Sequence, residues 1–95
     1  MRFRIPKTFR VAGVEHTVAL VEHLVGNDGL KGSFCAFTRS AQIERTLPPS
    51  EAWRTFWHEA LHAGDDLLKM GLTDDNVERL AIVICELLEQ LEVEP

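Results

Sequence analysis

The chain has 95 residues, 45% of them hydrophobic and 26% charged, with a formal net charge of −5. That length suits one domain with a modest core, and no apolar run approaches the roughly 20 residues that span a bilayer. The N-terminus MRFRIPKTFR is basic, but no apolar region or small-residue cleavage site follows it, so a cytoplasmic protein without a secretory signal is expected. Charge is uneven. Residues 1–54 carry eight Lys/Arg and five Asp/Glu (+3), whereas residues 55–95 carry two and ten (−8). An acidic half argues against wrapping nucleic acid, whose phosphates need cationic partners. Cys35 and Cys85 both sit among apolar neighbours and are expected as reduced thiols in the core.

In chain order, the first half reads as strands. Phe9, Val11, Val14, Val18 and Leu20 recur at period two around Ala12-Gly13, the pattern of a hairpin. Pro6 confines the opening segment to an edge or a strand start. GNDG at 26–29 is a loop. GSFCAFTRSAQIERTL reads as a second hairpin with Thr38-Arg39-Ser40 near its tip. The second half reads as two helices. Ser50 after Pro48-Pro49 is a candidate N-cap, with Glu51 matched to the helix dipole. Trp53, Phe56, Trp57, Ala60, Leu61, Leu67 and Leu68 follow helical spacing, and Gly71 is a natural stop. Thr73-Asp74-Asp75 then opens a helix whose apolar stripe is Val77, Leu80, Ala81, Ile84, Leu87, Leu88 and Leu91; the tail EVEP is expected to fray. The fold class expected is α+β: a small antiparallel sheet over residues 1–47, then a hairpin of helices over 50–70 and 74–92.

The chemistry concentrates at His58-Glu59-Ala60-Leu61-His62. A spacing of four stacks the two imidazoles on one helix face, where two ring nitrogens can reach one ion at about 2.0–2.1 Å. Glu59, rotated off that line, is free to act as a base toward water. Such a motif arises by chance in on the order of one in a few hundred chains of this length, so it is informative without being decisive. A catalytic zinc needs a third protein donor. Asp65, Asp66, Glu78, Cys85 and Glu86 lie downstream, and a third imidazole could come only from His16 or His23 in the sheet. In a tight hairpin turning near Gly71-Leu72, Glu78 falls level with about Asp65 and Glu86 nearer His58, so spacing alone leaves both glutamates open.

HEALHA followed by VERLA resembles the minimal gluzincin-like metallopeptidases of phages and bacteria, of the ImmA/IrrE type. The resemblance covers roughly residues 32–91. It implies one zinc ion held by His58, His62 and Glu78, with Glu59 as general base, and a peptide or protein substrate in a bacterial or phage-infected cell. It also implies that an extended peptide can pair with the strand before the active helix, Gln42, Ile43, Glu44, Arg45 and Thr46. An ordinary edge strand fits those five residues equally well. One departure stands out, because the chain has no tyrosine, a residue such enzymes often use to stabilise the oxyanion. His16, His23, Arg79 and nearby arginines are the donors left. Three other readings compete: a zinc-binding interaction module without turnover, a nucleic-acid-associated protease of the SprT type using Arg2, Arg4, Lys7 and Arg10, and a helical interaction domain with no metal.

Overall fold

The computed structural model describes residues 4–22, 24 and 30–91; Arg2, His23, the GNDG loop and the EVEP tail lie outside the described residues. Thr8–Val11 (β1) and Val14–Val21 (β2) form the first hairpin, paired from Thr8↔Thr17 to Val11↔Val14. Ala12 and Gly13 have φ of 49° and 77°, the two left-handed residues of the primed turn that matches strand twist. Gly32–Cys35 (β3) and Ser40–Glu44 (β4) form the second hairpin, closed around Phe37-Thr38 with Arg39 at φ 51°.

The two hairpins meet through β2 and β4, which run parallel from Thr17↔Ser40 to Val21↔Glu44. The order is β1-β2-β4-β3. The α+β plan stands, but the sheet is mixed and not wholly antiparallel as expected. Turn chemistry dictates each local antiparallel pair, whereas the meeting of hairpins depends on contacts far apart in sequence.

Pro49–Leu68 (α1) begins with Pro48 as its cap and Pro49 in the first turn, so Ser50 is inside the helix and not its N-cap. Proline suits that position because its missing N–H would have had no partner. The helix stops at Lys69, which adopts the left-handed conformation at φ 54° and donates its N–H to Asp65 O at 2.8 Å. The stop therefore comes two residues before Gly71. Asp65 secures it, since its Oδ1 also accepts the Leu72 N–H at 3.1 Å. Asp74–Leu91 (α2) opens as expected. The Asn76 N–H donates to Thr73 Oγ1 at 3.1 Å, and the Thr73 N–H donates to Asn76 Oδ1 at 3.5 Å, a reciprocal cap.

α1 packs against β1, β3, β4 and α2, while α2 packs chiefly on α1. The core joins Ala41 and Ile43 of β4, Phe56 and Ala63 of α1, and Val77, Ala81 and Cys85 of α2. Trp53 stacks on Phe56 at 5.5 Å, and Trp57 meets both rings edge-on, so the tryptophans extend this core at its margin. Cys85 is buried and its thiol is pushed up chiefly by burial. Cys35 is exposed, contrary to expectation, and a hydrogen bond with the Thr38 side chain lowers its pKa. Among the described residues no helix is long and apolar enough to cross a membrane.

Ile43 is fully buried at the centre of this core. Ile43→Ala should cost about 3 kcal/mol, a large part of what so small a domain has. Urea unfolding should show a lowered midpoint with the slope unchanged.

Candidate functional site

Helix α1 presents two faces to the site. Thr55, Phe56, Glu59 and Ala63 are buried, with Glu59 only 6% exposed. His58 and His62 sit one residue round from this row, at the border with α2, and their rings meet edge-on at 4.8 Å between centroids. Two adjoining hollows of about 430 and 620 Å³ share Leu30, Gly32, His58 and Glu59 in their walls. One continues past Lys31, Glu51, Arg54 and Glu78, the other past Asp65, Asp66 and Asp74. Together they form a cleft between β3 and the helix pair.

Across the helix pair, His58 Nδ1 donates to Glu78 Oε2 at 2.9 Å, and His62 Nε2 lies 3.5 Å from Asp74 Oδ1. Two histidines four apart on α1 thus face two carboxylates four apart on α2. Glu78 stands level with His58, and not with Asp65 as a turn at Gly71-Leu72 would require. The connection over residues 69–73 brings Asp74, at the start of α2, back beside His62 and so Glu78 beside His58. Glu86 is exposed and lies eight residues, or about 12 Å of helix, beyond Glu78. Asp74 did not emerge from the sequence as a site residue; its signal was the spacing of four from Glu78, which mirrors His58 and His62.

The proton arrangement follows from these contacts. With Nδ1–H given to Glu78, the Nε2 of His58 is an acceptor. The His62 Nε2–H donates to it at 3.1 Å. Burial, then the neighbouring His58, lowers the pKa of His62, which favours the neutral ring that ligates metals. Glu59 moves the other way. Burial raises its carboxyl to about 7, with His58 opposing and Asp74 adding to the rise.

Do these residues fit a zinc ion? A tetrahedral centre with nitrogens at about 2.0–2.1 Å holds two of them roughly 3.3 Å apart, close to the observed 3.1 Å between the Nε2 atoms. His58 already has the tautomer a ligand needs, with a carboxylate on its other nitrogen, the arrangement that orients metal-binding imidazoles. The donor types and the imidazole pair fit. The third donor is not assembled: Glu78 touches His58 on the nitrogen away from the pair, and among the described residues no group of three or more His, Cys, Asp or Glu side chains is arranged to hold a metal.

Three other expectations are corrected. Gln42–Thr46 offers no free edge, because β4 lies between β2 and β3. The Arg45 N–H is given to Val21 O at 2.7 Å, and Thr46 is tied to Glu44 Oε2. His16 is buried at 1% exposure. It stacks on Phe9 at 5.0 Å, with Nδ1 donating to Val14 O, so it belongs to the core and not to the cleft. Arg79 is exposed on α2 and does not line the cleft, where the cations are Arg54 and Lys31, the latter ion-paired with Glu51.

Among the described residues, the edge strand beside the cleft is β3. The Glu44 N–H donates to Lys31 O at 2.8 Å. Pairs alternate along an antiparallel ladder, so Ser33↔Gln42 and Cys35↔Ser40 exchange hydrogen bonds, while the N–H and C=O groups of Gly32 and Phe34 point outward. Gly32 is where β3 crosses α1 most closely. A Cβ there would lie 2.6 Å from Thr55 Cγ2, 3.0 Å from Gln42 O and 3.2 Å from Glu59 Oε2. Gly32→Ala should therefore push β3 off α1, costing about 1–3 kcal/mol. Thermal unfolding would register the loss, and a shifted titration of Glu59 would show that the strand buries this carboxyl.

No family model, curated protein or solved structure matches the chain.

Proposed function

We propose that the chain is a zinc-dependent metallopeptidase related to the gluzincins. The observation that carries the reading is the facing of His58 and His62 on α1 with Glu78 and Asp74 on α2, beside a buried glutamate at the wall of a cleft. His58 and His62 would hold the ion, and α2 would supply the third donor. Glu78, which would have to leave His58 Nδ1 to reach the ion, is the first choice and Asp74, 3.5 Å from His62 Nε2, the second. When bound, zinc lowers the pKa of water and polarises a carbonyl. Glu59 would accept a proton from water in the cleft and deliver it to the leaving amine. The substrate would be an extended peptide pairing with the outward N–H and C=O groups of Gly32 and Phe34, which brings its backbone alongside Glu59. Arg54, on the cleft wall, is a candidate to stabilise an oxyanion.

A second reading is a zinc-binding module that docks a partner without turnover. The lack of any tyrosine favours it. Elemental analysis of untagged protein, with a peptide panel assayed in parallel, decides the matter. One zinc per chain with chelator-sensitive cleavage supports the peptidase. One zinc without cleavage supports the module. Protein that takes up no zinc when given it in excess overturns both.

A further inference from the structure

The outer face of α2 is more apolar than a solvated helix should be. Leu80-Ala81-Ile82-Val83-Ile84-Cys85 is apolar around the whole circumference, a pattern that belongs to buried helices. Yet α1 covers only one side, burying Val77, Ala81 and Cys85. Leu80, Val83, Leu87 and Leu91 remain 40%, 52%, 51% and 72% exposed. At 3.6 residues per turn these four fall within a sector of about 80°, so they form one continuous stripe. The expectation that Leu80, Leu87 and Leu91 would be internal is thus not met within a single chain.

The stripe and its flank carry a two-fold pattern. The midpoint of Leu80 and Leu87, and the midpoint of Arg79 and Glu86, both fall within half a residue of Val83. Arg79 and Glu86 are exposed and lie within about 20° of each other round the helix. They are roughly 10 Å apart along it, too far to pair with each other in one chain. In an antiparallel pair of α2 helices crossing at Val83, a two-fold axis keeps each flank on its own side. Leu80 then meets Leu87 of the second copy and Arg79 meets Glu86, each contact occurring twice, while Val83 meets Val83 once, on the axis. This is the self-complementarity that a two-fold interface requires.

We propose that this chain forms an antiparallel homodimer through the Leu80–Val83–Leu87 face of α2. One helix face buries less than the roughly 800 Å² per partner of a standard interface, so a weak, reversible dimer is expected. The cleft lies at the α1–β3 side and is not used, so the dimer stands or falls separately from the zinc reading.

Sedimentation velocity of the full chain in chelator, from about 1 to 200 µM, tests the proposal. A reversible monomer–dimer equilibrium is expected. Val83→Lys, which puts two like charges at the two-fold axis, should leave a monomer with an unchanged circular dichroism spectrum. Arg79→Glu, at an exposed position, should raise the dissociation constant about tenfold, and adding Glu86→Arg should restore it. A wild-type monomer throughout the range, as expected if a different protein covers this face, overturns the proposal. So does a dimer indifferent to Val83→Lys, or a charge swap that fails to restore what Arg79→Glu removed.

Discussion

Glu59→Gln should stabilise the metal-free protein at pH 8 while removing its proposed activity. The carboxyl of Glu59 is raised from an ordinary 4.5 to about 7, first by burial and then by Asp74, with His58 opposing. Between those two values the unfolded chain has released the proton and the folded chain has kept it. Stability therefore falls as pH rises from 4.5 through 7, and the protonated carboxyl contributes fully only below that window. At about 1.4 kcal/mol per pH unit, the loss over the window is at most roughly 3–4 kcal/mol. A glutamine keeps the shape and carries no charge. Urea unfolding of the variant in chelator should show a flatter dependence between pH 5 and 8 and a higher midpoint at pH 8. Equal pH slopes in the two proteins would show that Glu59 ionises without cost. Zinc uptake by the variant should persist, while peptide cleavage should drop at least about a hundredfold, the contribution of a lost general base. Cleavage at the parental rate would remove Glu59 from the mechanism.

His58→Ala should weaken zinc binding by more than about 100-fold, because it deletes a donor and the ring on which Glu78 rests. A zinc-chelator competition titration measures this directly. The comparison with Glu78→Gln and Asp74→Asn assigns the second helix. A carboxylate that only orients His58 costs about 10–100-fold when neutralised, whereas the third donor should cost as much as His58 itself. If both carboxylate variants bind zinc like the parent, α2 takes no part in the site. Stability should change little in any of the three, since the His58 and Glu78 side chains are partly solvated and Asp74 is exposed.

Much of this site was legible before folding because it is local. The stacking of His58 on His62 and the rotation of Glu59 away from them follow from helical period alone. So does the cap at Thr73, where a hydroxyl and an amide three residues apart satisfy each other. The choice between Glu78 and Glu86 was not local. It turned on the path of the chain between the helices, which no spacing encodes. Asp65 fastens that connection at Lys69 and Leu72, and α2 starts beside His62, with Glu78 set against His58. Asp74 escaped notice for the same reason, since an acid in a first turn ordinarily serves the helix dipole.

The sheet divides the same way. Ala12-Gly13 determines a tight hairpin, and the second hairpin closes on its own turn, because each pairs residues only a few positions apart. That β2 would lie parallel to β4, leaving β3 as an edge strand among the described residues, is a matter of long-range packing against α1. The approach is so close that only Gly32 fits against Thr55 and Glu59. The amino-acid order by itself determined the two helices, the two hairpins and the paired imidazoles, all set by spacing within a few residues. Only the tertiary structure decided which strand borders the cleft, which carboxylates face the histidines and which face of α2 is left bare. Each of these depends on surfaces meeting across the chain, and no local period encodes them.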